Sequence, residues 1–184
     1  MKKKARAKVG ERQELYGTKQ VADILGIPEW RVKNFSEGAA YRLPPALQVG
    51  SGHGSRRLYG WEDIFRLGIA NRLVNFGFTP ESVGAAIREI PESSLWHYAP
   101  THDGRERQLK SKETPLLVQL GGAKFSGIWR VMKASEVQGE WIKTAQHGGA
   151  AEDKRSVTEQ LFVLNIANVC DSIFEALNRY WREG

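Results

Sequence analysis

The sequence predicts an α+β protein: a mainly helical N-terminal unit followed by a small α+β C-terminal domain. Three observations predict it. Between residues 18 and 90, apolar residues recur at helical spacing in four short runs punctuated by Gly26, Gly38, Gly77 and Pro91. Beyond residue 112 the pattern changes to the strand-like runs "LLVQL" and "FSGIWRVM", separated by "GGAK", which reads as a hairpin turn. With 184 residues, 41% of them hydrophobic, the chain has the material for one compact domain or two small ones, each with a core.

Taken in order, Thr18 is a good N-cap, with Val21, Ala22 and Leu25 on one face of a short helix that ends at Gly26. Pro28 suits the first turn of a second helix, "PEWRVKNFSEG", in which Val32 and Phe35 face inward while Arg31, Lys33 and Asn34 point elsewhere. Each helix is too short to be stable alone, and together they suggest a helix-turn-helix. The prolines of "YRLPPALQ" then predict an extended connection, leading into the glycine-rich loop "GSGHGSRRLYG" with adjacent Arg56 and Arg57. "WEDIFRLGIANRLVNFGF" carries Ile64, Leu67, Ile69, Leu73 and Phe76 at helical periods and stops at Gly77. A fourth helix, "TPESVGAAIREI", opens with Thr79 as N-cap and Pro80 at its first position, and Pro91 breaks it.

Charge points to a partner class. The formal net charge is +6, yet residues 1–60 hold twelve Lys and Arg against five Asp and Glu, which leaves the rest of the chain at −1. A polyanion is therefore the natural partner of the N-terminal end. Residues 1–15 form a basic, flexible arm in this reading, with Lys2, Lys3, Lys4, Arg6 and Lys8 in its first eight positions. No apolar run approaches the ~20 residues that cross a bilayer, and the N-terminus lacks a secretory pattern, so a cytoplasmic protein is expected. Cys170 stands alone, which excludes an intrachain disulfide and a multi-cysteine zinc site.

The order of these pieces resembles the DNA-binding domain of the MerR family of bacterial transcription regulators, a winged helix-turn-helix. The resemblance runs through "YGTKQVADILGIPEWRVKNF", the connection "LPP", the loop ending "RRLYGWEDIFRL" and the junction "NFGFTPESV", covering residues 16 to about 90. It implies that the loop is a wing whose arginine and tyrosine, here Arg57 and Tyr59, lie against the DNA backbone. Glycines let such a tip approach a phosphate, and guanidinium groups form charge-assisted bonds to it, so Arg56 joins them. The second helix departs from the family pattern of an arginine followed by aromatics, since "VKNF" supplies Lys33, Asn34 and Phe35. Asn34 suits an adenine edge and Lys33 a guanine or a phosphate. Thr18 and Arg31 complete the candidate DNA-binding residues, and Trp30 has two readings, packing under the wing or touching DNA.

The domain reading is 16–91 for the winged helix-turn-helix, 92–111 for a linker with a short helix near Leu95, and 112–184 for the α+β half. In that half a short helix is expected from Ser135, "HGGAAEDKRS" reads as a polar loop, and "QLFVLNIANVCDSIFEALNRYW" reads as a strand followed by a helix, one long helix being the alternative. His97, His102 and His147 lack metal-ligand spacing, so neither metal nor cofactor is expected. No catalytic set is recognisable and the protein is not read as an enzyme. The functional expectation is a sequence-specific regulator of transcription that binds double-stranded DNA as a homodimer, with dimerisation in the C-terminal half and an effector left open. The alternatives are an architectural or excisionase-like DNA-binding factor, and a protein-interaction adaptor on the same fold. A homodimer is inferred because one short helix and one wing give limited affinity, whereas two copies on an inverted repeat add theirs.

Overall fold

The computed structural model describes residues 14–41, 43–49, 56–91, 95, 115–120, 128–133, 135–137 and 161–183. The order is β1 (Tyr16–Gly17), α1 (Thr18–Leu25), α2 (Glu29–Glu37), β2 (Leu47–Val49), β3 (Arg56–Tyr59), α3 (Trp61–Asn75) and α4 (Pro80–Arg88). There follow β4 (Pro115–Leu120), β5 (Ile128–Lys133), β6 (Leu161–Asn165) and α5 (Ile166–Glu183). Helix and sheet are mixed, as an α+β class requires. Two antiparallel three-stranded sheets form, one ordered β1-β3-β2 and the other β5-β4-β6.

Local chemistry accounts for most helix ends. Helix α1 has Gly17 rather than Thr18 at its N-cap; Thr18 is the first helical residue, and the Gly17 N–H donates to Gln20 Oε1 at 2.8 Å. Gly26 ends α1 at φ 62°, a left-handed conformation that costs glycine no Cβ clash, and its N–H returns to the last turn. Pro28 is the N-cap of α2, one position earlier than the sequence suggested. Asp63 caps α3 by accepting from the Gly60 N–H at 2.9 Å and from the Ala46 N–H at 3.0 Å, which ties the entry to β2 to the start of α3. Thr79 caps α4 by accepting from the Ser82 N–H at 3.3 Å, with Pro80 at the first helical position.

Packing selects which apolar residues matter. In α2, Val32 and Phe35 are buried as their spacing predicts, each contributing about 1.5–3 kcal/mol. In α1 the buried set is Val21, Ala22 and Ile24, while Leu25 packs at the edge of the core. Phe76 is exposed rather than buried, because it lies at the C-cap of α3, where its ring meets Phe162 edge-on at 5.3 Å.

The C-terminal segment is a strand followed directly by a helix, β6 then α5. Strands β4 and β5 are antiparallel neighbours, as a hairpin reading requires; the "GGAK" turn lies outside the described residues. Leu95 is helical and buried, and residues 135–137 are helical. The rest of the expected helix from Ser135, the polar loop at 147–156, the remainder of the expected linker and the three C-terminal-half histidines lie outside the described residues.

Residues on both sides of the expected linker share one hydrophobic core. Helix α5 contributes Ile166, Cys170, Ile173 and Leu177 to the cluster that contains Val21, Leu67 and Ile69. Two polar contacts close this packing: Gln20 Nε2 donates to the Tyr180 hydroxyl at 3.0 Å, and Trp181 Nε1 to the Tyr16 hydroxyl at 2.8 Å. On the other side Trp129 of β5 packs edge-on against Phe78 at 5.1 Å and donates to Ser82 Oγ of α4 at 3.1 Å. Among the described residues, no helix is long and apolar enough to cross a membrane.

Candidate nucleic-acid interface

Helix α2 is held by one side and displays the other. Val32 and Phe35 point into the core, and Phe35 meets Tyr41 edge-on at 4.9 Å. The residues left outside at i, i+3, i+4 and i+7 are Trp30, Lys33, Asn34 and Glu37, which form one exposed stripe. Lys33 and Asn34 therefore sit side by side on the outer face, as their spacing anticipated. The Lys33 ammonium lies 3.9 Å from Glu29, an exposed i,i+4 pair worth a few tenths of a kcal/mol at most and readily exchanged for another anion.

Arg31 has a different role from the one its sequence position suggested. Its guanidinium reaches back to α3, donating to Asn71 Oδ1 at 2.9 Å and Asn75 Oδ1 at 3.2 Å. Its Nε is buried. Two fixed acceptors orient the group toward α3, so it braces α2 against α3 instead of reaching outward. Its guanidinium carbon also lies 5.4 Å from the centroid of the Trp30 ring, a cation–π distance. Trp30 does not pack under β2 and β3; it is 61% exposed.

The two arginines of the glycine-rich loop divide their work. Arg56 begins β3 exposed, with no ion pair among the described residues. Arg57 is turned inward and pairs with Glu37 at the end of α2 at 2.6 Å, its side chain only 18% exposed. Glu37 thereby loses much of its repulsion for an approaching anion, and β3 is pinned to α2. Tyr59 is fully buried, contrary to the expectation of a backbone contact. Its hydroxyl is spent on Ser36 at 2.9 Å, while Ser36 Oγ also donates to the Val32 carbonyl at 3.1 Å. Burying the ring and satisfying the hydroxyl internally fixes the height of β3 over α2, a structural task. Thr18 is half-buried at the start of α1. The loop tip, residues 50–55, lies outside the described residues.

Periodicity thus places Lys33 and Asn34 on the outer face of α2, where the structure has them, whereas Arg31, Arg57 and Tyr59, expected to face outward, turn to partners within the fold. For Trp30 the sequence allows two readings. The signal for Trp30 was present in the spacing, since it falls four residues before Asn34 and out of phase with Val32 and Phe35. Of the twelve basic residues in positions 1–60, five are described, against four acids, so most of the N-terminal excess charge belongs to residues 1–13 and Arg42.

Burial shifts ionisable groups near the base of this surface, raising the Tyr41 phenol as well as Asp63 and Tyr16. The Asp63 carboxyl is raised above its ordinary value by desolvation, which the Gly60 and Ala46 N–H groups only partly offset. Burial and the neighbouring Glu14 carboxylate raise the Tyr16 phenol well above its ordinary value, so it stays protonated. A cleft of about 280 Å³ opens beside Asp63, with Arg66 and Arg88 at its polar side and Leu67 and Ile87 at its apolar side. Among the described residues no group of His, Cys, Asp and Glu is arranged to hold a metal ion. No protein-family model matches the chain, and no curated protein matches it.

Proposed function

We propose that this protein is a sequence-specific regulator of transcription that binds double-stranded DNA through a winged helix-turn-helix of MerR-like type. In this reading α1 and α2 are the helix-turn-helix, α2 enters the major groove, and β2 with β3 forms the wing. One observation carries it: α2 displays Lys33 and Asn34 together on an exposed face while its opposite face is fixed in the core. Asparagine can bond an adenine edge bidentately and lysine a guanine edge or a phosphate, and both must be displayed on a rigid helix to do so. Arg56 at the start of the wing strand supplies a phosphate contact, and the basic residues of the N-terminal arm add sequence-independent attraction.

Two copies on an inverted repeat are part of the proposal on grounds of affinity. The pairing surface is not the apolar face of α5, because Ile166, Ile173 and Leu177 are buried within their own chain. That same observation favours a second reading, an architectural DNA-binding factor acting as a single copy.

Selection of bound fragments from randomised duplex DNA at near-physiological salt tests both. A recovered inverted repeat supports the dimeric regulator, and a single unrepeated site with measurable bending supports the architectural factor. Failure to enrich any duplex over competitor would reject DNA binding and leave an adaptor on this fold.

A further inference from the structure

Trp30 is the largest side chain on the displayed face of α2 and is 61% exposed. Its position is prepared. The Arg31 guanidinium lies 5.4 Å from the ring centroid, and that guanidinium is itself tied to Asn71 and Asn75. The ring is thus flanked by a group fixed from α3, so part of the entropy of ordering it on binding is already lost in the free protein. Trp30 also lies in the first turn of α2, and the N-terminal residues of a recognition helix are those that reach base edges. Its stripe neighbours, Lys33 and Asn34, offer polar contacts to those edges. An indole among them meets the one apolar group that the major groove presents, the 5-methyl of thymine.

We propose that Trp30 is a specificity-determining residue that reads thymine, packing its indole against a thymine methyl beside the base pairs contacted by Lys33 and Asn34. This rests on the DNA-binding reading above. A protein partner covering the same stripe is the competing occupant. The stripe's polar members and the exposed cation at Arg56 favour DNA.

The test uses the full chain and a duplex selected from a randomised library, with each thymine of that site replaced in turn by deoxyuridine. This change keeps base pairing and the O4 acceptor and removes only the methyl. For the wild type, one or two thymines should each lose about three- to fivefold in affinity, the effect of one buried methyl. Trp30→Ala should bind the selected site more weakly and no longer distinguish thymine from deoxyuridine there, while Trp30→Phe should keep the distinction. Lys33→Ala should weaken binding yet preserve the thymine-to-deoxyuridine ratio.

The proposal is overturned if Trp30→Ala discriminates as the wild type does, if no deoxyuridine substitution matters to the wild type, or if the selected site contains no thymine. A wild-type chain that selects no duplex overturns the DNA-binding reading, and this inference with it. Those two failures are distinguishable.

Discussion

The indole N–H of Trp181, near the end of the last helix, donates to the hydroxyl of Tyr16 in the first strand at 2.8 Å, across 165 residues of sequence. The same hydroxyl donates to Glu14 at 2.9 Å. Tyr16 pairs with Tyr59 across β1 and β3, so α5 is joined directly to the sheet that contains β3. Replacing Tyr16 by Phe removes both hydrogen bonds and should lower unfolding free energy by about 1–2 kcal/mol in a urea titration. Because Trp181 is partly exposed and can turn to water, a loss well above this range would contradict the account.

Removing residues 92–184 should uncover the core faces of α1, α3 and α4 that these residues cover. The truncated chain is expected to unfold at markedly lower denaturant or to aggregate, measured by circular dichroism and sedimentation. A well-folded, monomeric fragment with undiminished stability would show that the shared core is dispensable.

Arg56 and Arg57 should separate experimentally. Arg56→Ala is expected to leave stability within about 0.5 kcal/mol and, in the DNA-binding reading proposed above, to reduce the salt dependence of binding by roughly one phosphate contact. Arg57→Ala and Glu37→Ala should each cost up to about 1 kcal/mol of stability, and the double variant less than their sum, because they share one partly exposed pair. Urea titration alongside affinity at several salt concentrations reads both effects.

Two buried helical glycines make a paired prediction. A Cβ on Gly84 of α4 would stand 2.5 Å from the Ala40 carbonyl oxygen and 2.7 Å from that of Tyr41, which are backbone atoms that cannot turn aside. Gly84→Ala should therefore destabilise by about 1–3 kcal/mol. A Cβ on Gly68 of α3 would meet the Ile173 side chain of α5, whose terminal methyl can be removed. Gly68→Ala should be partly rescued by Ile173→Val, a rescue that thermal melts of the single and double variants would detect.

Asp63 gives a pH dependence with a defined sign. Its carboxyl is raised in the folded state by burial, so above its unfolded value the native protein holds the proton more tightly than the unfolded chain does. Its contribution to stability accordingly falls as pH rises from the unfolded value through the folded one, and the loss is complete above both. Asp63→Asn removes this titration. The stability difference between wild type and variant should shift in favour of the variant between acidic and neutral pH, and a pH-independent difference would refute the assignment.

What the sequence determined by itself was local: helix ends and the division into elements. Gly26, Gly38, Thr79 and Pro80 act on the backbone within a few residues, so their consequences can be read without knowing what packs where. The inward face of α2 was equally legible, because Val32 and Phe35 define a side by periodicity alone. Tertiary structure decided which polar groups were used internally. Arg31 finds Asn71 forty residues away and Tyr59 finds Ser36 twenty-three residues away, distances over which spacing carries no information. A guanidinium or a phenol reads as a surface contact until a partner from another element satisfies it, and only the packed fold supplies that partner. The apolar face of α5 followed the same logic: its periodicity predicted burial, but whether a second copy or α1 and α3 of its own chain would cover it depended on how the chain folds back on itself.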